Sequence, residues 1–212
     1  MIYRTVIFDF DGTLADTLEE TRKIYNRMAA DYKLREVHED ELPQLRHLSL
    51  KDLLDHLGIP SRRVPMLLAK GTRLLRGNIA SLPLIKGMEE ILPILRPRVQ
   101  SFGILTSNAS ENVELFLEAH GIRGLFDFIS STSKLTGKSR HLRAICKTFS
   151  LRPQEMLYVG DEIRDLKASQ KAGVPVAGVT WGFNSRESLA AEQPQYVLDR
   201  PEQFLEIIRA DV

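Results

Sequence analysis

Residues 4–13 read RTVIFDFDGT, and this stretch decides the fold that the sequence predicts. Residues 4–9 form a short, mostly apolar run that ends on an acid, which is typical of a strand buried inside a sheet. Asp9 and Asp11 are two residues apart, and Gly12 lets the chain turn tightly behind them. The stretch therefore predicts a first strand whose carboxyl end presents two neighbouring carboxylates.

The segment after this stretch has a different character. Only two valines occur between residues 15 and 97, and apolar residues recur there at helical spacing, as in Leu50, Leu53, Leu54 and Leu57. A structureless loop of this length is uncommon in a compact protein. The sequence therefore predicts a helical cap subdomain of residues 16–82 inserted after the first strand, with residues 1–15 and 83–212 forming the catalytic core.

From Val99 onwards, strand-like and helix-like segments alternate. Strands are predicted at residues 101–106, 126–130, 156–159, 174–179 and 196–198. Helices are predicted at residues 111–120, 138–149, 163–172 and 202–208. The alternation favours an α/β fold with a doubly wound parallel sheet, a Rossmann-like core covered by helices on both faces.

Composition excludes several classes of protein. The 212 residues carry 29 Lys and Arg against 28 Asp and Glu, a net charge of +1, which argues against nucleic acid or an anionic membrane as partner. The single cysteine, Cys146, permits no intrachain disulfide and favours a reducing compartment. The N-terminus has no signal-peptide core, and the longest apolar stretch, residues 172–183, is too short to span a bilayer. We therefore expect a soluble, cytoplasmic protein.

The residues just after the strands are the candidate site, because ligands of open α/β sheets bind outside the carboxyl ends of the strands. These residues are Asp9, Asp11 and Gly12, then Thr106, Ser107 and Asn108, then Lys138 at a helix start, and finally Asp161, Glu162 and Asp165. Buried carboxylates as close as Asp9 and Asp11 repel each other unless a cation lies among them, and Mg²⁺ prefers such oxygen ligands. Each residue alone is typical of a turn, a cap or a solvated side chain. Together, at strand ends, they indicate a magnesium site, with Asp161 as a further ligand.

In this order the segments resemble the four motifs of the haloacid dehalogenase-like hydrolases. The first motif is similar to residues 8–14 and the second to residues 104–108. Lys138 lies where the lysine of the third motif is expected, and residues 160–165 resemble the fourth motif, with its two acids four apart. The resemblance covers nearly the whole chain, including the helical insertion, and is nearest to the phosphoglycolate phosphatase-like branch with a helical cap.

The resemblance implies a role for each motif residue. Asp9 would attack phosphorus and form an aspartyl-phosphate, while Asp11 would protonate the leaving alcohol and then activate water. Asp9, the backbone carbonyl of Asp11 and Asp161 would hold Mg²⁺, and Lys138 would reduce the repulsion between nucleophile and phosphate. Asp165 would orient Lys138 or a metal-bound water. The phosphate oxygens would be bound by Gly12, Thr106, Ser107, Asn108 and Lys138.

These roles predict a Mg²⁺-dependent phosphatase that hydrolyses a small, phosphoglycolate-like phosphate monoester. A phosphomutase acting on a sugar phosphate would use the same acids and stays an alternative, whereas Asp11 disfavours dehalogenation. A phospho-accepting signalling protein or a catalytically silent binding protein is the alternative from another class. The sequence leaves open the roles of Glu162 and Trp181, the cap residues that contact substrate, and whether the protein is a monomer or a homodimer.

Overall fold

The computed structural model describes residues 3–132 and 137–209, and six parallel strands form its centre. The strands are β1 (Thr5–Phe8), β2 (Ser101–Thr106), β3 (Phe128–Ser131), β4 (Met156–Gly160), β5 (Val176–Val179) and β6 (Tyr196–Leu198). Their order across the sheet is β3-β2-β1-β4-β5-β6, so that β1 lies between β2 and β4. The order reverses at β1, as in a doubly wound sheet, which confirms the predicted fold class.

The sheet is buried on both faces. Because successive residues of a strand point to opposite sides, each strand contributes side chains to both faces. On one face, Phe8 contacts Phe102, Phe126 and Phe204 edge-on, with ring centroids 5.4–6.3 Å apart. On the other face, Ile7 belongs to a second apolar cluster. The apolar run of β1 therefore supplies both halves of the core.

Ten α-helices lie in the described residues, and they surround this sheet. The first four lie between β1 and residue 82 and form what we call the helical block: α1 (Leu18–Tyr32), α2 (Leu42–Leu45), α3 (Leu50–His56) and α4 (Val64–Leu75). The others are α5 (Met88–Leu95), α6 (Ser110–Ala119), α7 (Lys138–Thr148), α8 (Ile163–Ala172), α9 (Arg186–Ala191) and α10 (Phe204–Ile207). Within the described residues, no helix is both long and apolar enough to cross a membrane.

The chain enters and leaves the helical block through two segments that lie side by side. Asp16 donates its backbone N–H to the carbonyl of Pro83 (2.9 Å), and Ile85 donates to the carbonyl of Leu14 (2.8 Å). The predicted boundaries at residues 15/16 and 82/83 fall at this two-stranded neck. The division into a core and a cap domain stays a prediction.

Several predicted boundaries differ from the structure by a few residues. The strand predicted at residues 126–130 begins at Phe128, after a 3₁₀ turn at Arg123–Leu125. The strand predicted at residues 174–179 begins at Val176, because the N–H of Val174 bonds back to Ser169 at the end of α8. The helix predicted at residues 202–208 is a 3₁₀ turn, Pro201–Gln203, followed by α10.

Candidate active site

A buried lysine joins two acids at the carboxyl edge of the sheet. Lys138, the first residue of α7, is 1% exposed, and its ammonium lies 2.7 Å from Asp9 Oδ2 and 2.6 Å from Asp165 Oδ1. Asp9 follows β1 and Asp165 lies in the first turn of α8, so three separate elements supply this cluster. Tyr158 of β4 completes its floor: its hydroxyl lies 3.4 Å from Asp165 Oδ1.

Asp11 is held by the loop that follows β2. The side-chain amide of Asn108 donates to both oxygens of the Asp11 carboxylate, at 3.2 and 3.0 Å. The backbone N–H of Asn108 in turn bonds to Thr106 Oγ1 at 2.9 Å, which turns the chain after β2. The structure therefore brings the second predicted segment, Thr106 to Asn108, against the first.

Asp161 lies in a cradle formed by two glycines. Its carboxylate accepts hydrogen bonds from Thr13 Oγ1 and from the backbone N–H of Phe183, both at 2.7 Å. Gly12 has φ = +72°, and a Cβ on either Gly12 or Gly182 would overlap the Asp161 carboxylate. Glycine is thus required on both sides for Asp161 to be placed here.

Glu162 and Arg164 form an ion pair beside this cluster. Arg164 Nη2 lies 2.5 Å from Glu162 Oε1 and 3.4 Å from the hydroxyl of Ser107. Arg164 Nε and Nη1 are buried, and neither has a hydrogen-bond partner among the described residues. The site therefore contains a second cation in addition to Lys138, and this cation, Arg164, contacts the predicted phosphate-binding residue Ser107.

Burial of so many acids dominates the electrostatics. Burial raises the pKa of Asp9 to about 8, although the neighbouring Lys138 opposes this. Burial likewise raises the pKa of Asp11, and the pKa of Asp161 is raised well above its ordinary value by burial and by the charge of Glu162. Asp165 is the exception: burial works against its ionisation, but Lys138 and Arg164 together hold its pKa below the ordinary value.

The pKa of Lys138 moves the opposite way from that of a lysine buried alone. Burial lowers it, but the carboxylates of Asp165 and Asp9 outweigh burial and raise it. The ammonium therefore keeps its charge. Its two partners are both acids that the sequence analysis placed in the site.

The residues of this site fit a hard divalent cation. Asp9, Glu162 and Asp165 each offer a carboxylate oxygen, and these oxygens lie within 4.8 Å of one another. The donors are all oxygen, and raised pKa values at Asp9 and Asp161 are those of acids that lack enough positive charge around them. Glu162, whose role the sequence left open, joins this group. The assignment of Asp9, the Asp11 carbonyl and Asp161 as the ligands stays a prediction.

Sequence reasoning left the role of Trp181 open and did not count the other residues of the loop after β5 among the site residues. Trp181 donates its indole N–H to the carbonyl of Thr13 (3.2 Å), and Phe183 binds Asp161. Asn184 bonds to the loop that carries Asp161, and Gly182 leaves room for the Asp161 carboxylate. The signal was available, because residues 180–184 follow a strand at the same carboxyl edge as the motifs.

Comparison with known proteins identifies a matching family, similar sequences and a solved structure with the same fold. Residues 6–179 match the family model of the haloacid dehalogenase-like hydrolases. The chain is 35% identical to a phosphoglycolate phosphatase of Synechococcus elongatus, covering 97% of both chains, and 27% identical to a pyrophosphatase of Bacillus cereus, covering 98% of this chain and 97% of the relative. A haloacid dehalogenase-like family hydrolase of Streptococcus pneumoniae has the same fold, with a TM-score of 0.82 at 18% identity over 98% of this chain and 99% of that one.

Proposed function

The chain belongs to the haloacid dehalogenase-like hydrolases, and from that premise we propose that it is a Mg²⁺-dependent phosphatase of a small, phosphoglycolate-like phosphate monoester. The observation that carries the proposal is the pair of contacts made by Lys138, which holds Asp9 and Asp165 through one buried ammonium. A charged lysine at a candidate nucleophile suits an anionic substrate, because it lowers the electrostatic cost of bringing a phosphate to a carboxylate.

Asp9 is the nucleophile of this proposal. Its Oδ1 accepts a hydrogen bond from its neighbour's backbone N–H (2.8 Å), and its Oδ2 faces Lys138, so the carboxylate is held in one orientation. Attack by Asp9 on phosphorus forms an aspartyl-phosphate and breaks the bond to the leaving oxygen. Water then attacks the phosphorus, which releases inorganic phosphate and restores the carboxylate.

Asp11 supplies and recovers the proton. Burial raises the pKa of Asp11, so this carboxyl group keeps a proton more readily than an exposed aspartate does. It gives that proton to the leaving alcohol in the first step and takes one from water in the second. The amide of Asn108, which contacts both Asp11 oxygens, orients the group for this exchange.

Asp9, the backbone carbonyl of Asp11 and Asp161 would hold the Mg²⁺, with Glu162 close by. When bound, the ion supplies positive charge for the phosphoryl oxygens and for the ionised nucleophile. Lys138 adds to that charge, and Asp165 keeps Lys138 in place. Gly12, Thr106, Ser107 and Asn108 complete the set that we propose to bind phosphate oxygens.

The helical block, in this proposal, is a cap that covers the substrate and excludes water. A cavity of about 190 Å³ lies between the block and the core, and residues of both line it, among them Leu18, Tyr25, Leu53, Glu162 and Phe183. A space of this size suits the organic part of a small metabolite and not a macromolecule. The cytoplasmic location and the monomeric or homodimeric state predicted from the sequence belong to this proposal as well.

The first test is release of inorganic phosphate from an aryl phosphate and from a panel that includes phosphoglycolate, sugar phosphates and pyrophosphate, with and without Mg²⁺. We expect hydrolysis that stops on chelation and resumes when Mg²⁺ is added back. Full activity after thorough chelation would remove the metal from the proposal. Conversion of a sugar phosphate to its positional isomer without phosphate release would favour the phosphomutase alternative.

A second test concerns the covering role of the helical block. The measurement is kcat/KM for phosphoglycolate against kcat/KM for a phosphopeptide. A cap over the site admits only substrates that fit beneath it, so we expect a strong preference for the small acid. A preference for the phosphopeptide would contradict the cap, while leaving the chemistry at Asp9 untouched.

A further inference from the structure

Besides the neck, the helical block contacts the core at several places, such as the hydrogen bond from Asn112 of α6 to the carbonyl of Thr72 (3.0 Å). One of these contacts, which we call the seam, joins residues 46–48 of the block to residues 180–188 of the core. The backbone N–H of Ser185 donates to the carbonyl of Arg46 (2.8 Å), and Arg46 Nη2 donates to the carbonyl of Thr180 (2.6 Å). These bonds join segments more than 130 residues apart in the sequence. The seam is therefore a tertiary contact that closes or opens as a unit.

Asn184 stands at the centre of the seam and bonds in two directions. Its side-chain N–H groups donate to the carbonyls of Arg46 (3.0 Å) and Leu48 (2.9 Å) in the block. Its side-chain oxygen accepts the backbone N–H of Ile163 (2.9 Å), and its backbone N–H donates to the carbonyl of Asp161 (3.1 Å). One buried amide thus links the block to the loop that carries Asp161 and Glu162.

The side-chain hydrogen bonds of Asn184 form a bridge, with one half to the carbonyls of the block and the other half to the N–H of Ile163. The two halves depend on each other. A primary amide has two N–H donors and one carbonyl acceptor, and in Asn184 both donors and the acceptor are in use. Asn184 is 7% exposed with the seam closed, so removal of the block's carbonyls would replace two hydrogen bonds by contacts with water and leave the side chain free to rotate. The side chain would then turn toward water, and Ile163 would lose the acceptor that fixes the start of α8.

We propose that Asn184 is a positioning residue that couples closure of the helical block to the geometry of the metal-binding loop. The inference rests on the proposed function, in which Asp161 is a metal ligand and the block opens and closes. Coupling of this kind is reciprocal: a cation at Asp161 makes the seam close more tightly, and an open seam weakens binding of the cation.

Two backbone amides report on the two halves separately. The N–H of Ser185 has its acceptor in the block, so its hydrogen exchange measures opening of the seam. The N–H of Ile163 has the side chain of Asn184 as its acceptor, so its exchange measures the other half of the bridge. Exchange at both sites is measured by NMR on the full chain, first without metal and then with saturating Mg²⁺ alone.

Three variants separate the possible roles. Asn184→Asp keeps an oxygen for the N–H of Ile163 but has no donor for the block, whereas Asn184→Ala loses both halves. Ser188→Ala is the matched control, because the Ser188 hydroxyl donates across the seam to the carbonyl of His47 (3.0 Å) and accepts from the Ser185 hydroxyl (3.2 Å), and within the described residues it has no hydrogen bond to Ile163 or Asp161. It loosens the seam and leaves the bridge in place.

In the wild-type protein we expect Mg²⁺ to slow exchange at Ser185. Asn184→Asp should speed exchange at Ser185 by roughly 10- to 100-fold, the worth of two hydrogen bonds, and keep Ile163 protected. Asn184→Ala should expose both amides, bind Mg²⁺ at least about five-fold more weakly by calorimetry, and show no Mg²⁺ response at Ser185. Ser188→Ala should speed exchange at Ser185 but keep the wild-type response to Mg²⁺.

A purely structural role for Asn184 would not change how Ser185 responds to the metal. An Asn184→Ala variant in which Mg²⁺ slows Ser185 by the wild-type factor would overturn the inference and leave the phosphatase proposal standing. If Asn184→Ala does not fold, Asn184→Asp decides, since an undiminished Mg²⁺ response there has the same meaning. A wild-type protein that neither binds Mg²⁺ nor hydrolyses phosphate esters would overturn the proposed function, and the coupling with it.

Discussion

Two lysines, one in the core and one in the helical block, make contacts of nearly the same length in very different surroundings. Lys138 lies 2.7 Å from Asp9 and is 1% exposed, whereas Lys70 lies 2.8 Å from Asp31, and these two side chains are 26% and 63% exposed. Each ammonium also lies near a tyrosine ring, at 5.6 and 4.8 Å from its centroid. The distances therefore cannot distinguish the pairs, and only burial does.

Burial determines how much energy each ion pair holds. In water, the attraction within an exposed pair is largely cancelled by solvent and salt, so Lys70 and Asp31 hold little energy between them. In the interior, the same attraction is strong but the cost of removing charges from water is large, so loss of one partner leaves an expensive charge behind. The core thus keeps Lys138 and Asp165 charged beside acids whose pKa values burial raises, while the block presents a solvated surface.

The sharpest test of the contrast is the replacement of Asp9 by Asn, with Asp31→Asn as the matched change in the block. Asn is nearly isosteric but is not a nucleophile, and removing a nucleophile can cost on the order of 10⁶ in rate. We expect Asp9→Asn to abolish phosphate release and Asp31→Asn to leave kcat within about two-fold, since surface changes rarely matter. Circular dichroism would confirm that both variants fold. Turnover near the wild-type rate in Asp9→Asn would exclude Asp9 as the nucleophile.

Lys138→Met against Lys70→Met compares the two pairs directly through the free energy of unfolding. Loss of the buried ammonium leaves Asp9 and Asp165 facing each other, and we expect a cost of about 3–5 kcal/mol. The exposed replacement should cost less than about 1 kcal/mol. Urea titrations of the metal-free proteins at pH 8 measure both values.

The Lys138→Met deficit should shrink at pH 5. Without the ammonium, both acids take up protons at a higher pH than usual, and a folded state that binds more protons than the unfolded state gains stability as the pH falls. Equal losses for the two lysine variants would contradict the account of burial given above.

Metal affinity gives a smaller contrast. Asp161→Ala should weaken Mg²⁺ binding by roughly 10- to 100-fold, by analogy with damage to groups that support a metal ligand. Asp55→Ala, at an exposed position of α3, should leave the dissociation constant unchanged. Calorimetric titration with Mg²⁺ measures both. An unchanged affinity in Asp161→Ala, together with a lowered one in Glu162→Gln, would move the ligand role from Asp161 to Glu162.

For a change of one pH unit, the smallest contrast that we expect is the pH dependence of Mg²⁺ binding. Because the pKa of Asp9 is raised to about 8, a proton occupies Asp9 more fully as the pH falls below 8, and Mg²⁺ must displace it. Affinity should therefore rise with pH by up to about ten-fold per unit between pH 6 and 8 and level off above 8. In Asp9→Asn this slope should become shallower but persist in part, because Asp161, whose pKa burial also raises, still exchanges a proton for the ion.

The motif residues were predictable from the sequence because they lie at the ends of strands that short apolar runs mark clearly. The apolar run before Asp9 and the strands before Thr106 and Asp161 are buried, and a parallel sheet brings their carboxyl ends together. Lys138 could be placed by its position at a helix start. The resemblance implied that Asp165 orients either Lys138 or a metal-bound water; the contact of Lys138 with Asp165, and its contact with Asp9, depend on how α7 and α8 pack.

The loop after β5 contains residues of the site that the periodicity of apolar residues in the sequence does not reveal. Gly182 and Asn184 matter because of contacts with Asp161 and Ile163, about 20 residues away, and with Arg46 in the block. No apolar pattern or charge marks such residues. Arg164 was likewise visible in the fourth segment, but only the structure shows that its guanidinium reaches Ser107 and Glu162.

The central place of β1 has a consequence for the order in which the protein can be assembled during translation. β1 leaves the ribosome first, yet its neighbours β2 and β4 begin at Ser101 and Met156. The helices of the block, with their local contacts, can form long before then, whereas non-local strand pairing is slow and waits for the later segments. Until β4 has been made, one edge of this strand, which is fully buried in the finished sheet, has no partner and is open to aggregation. We therefore expect nascent chains shorter than about 160 residues to need protection that the finished protein does not.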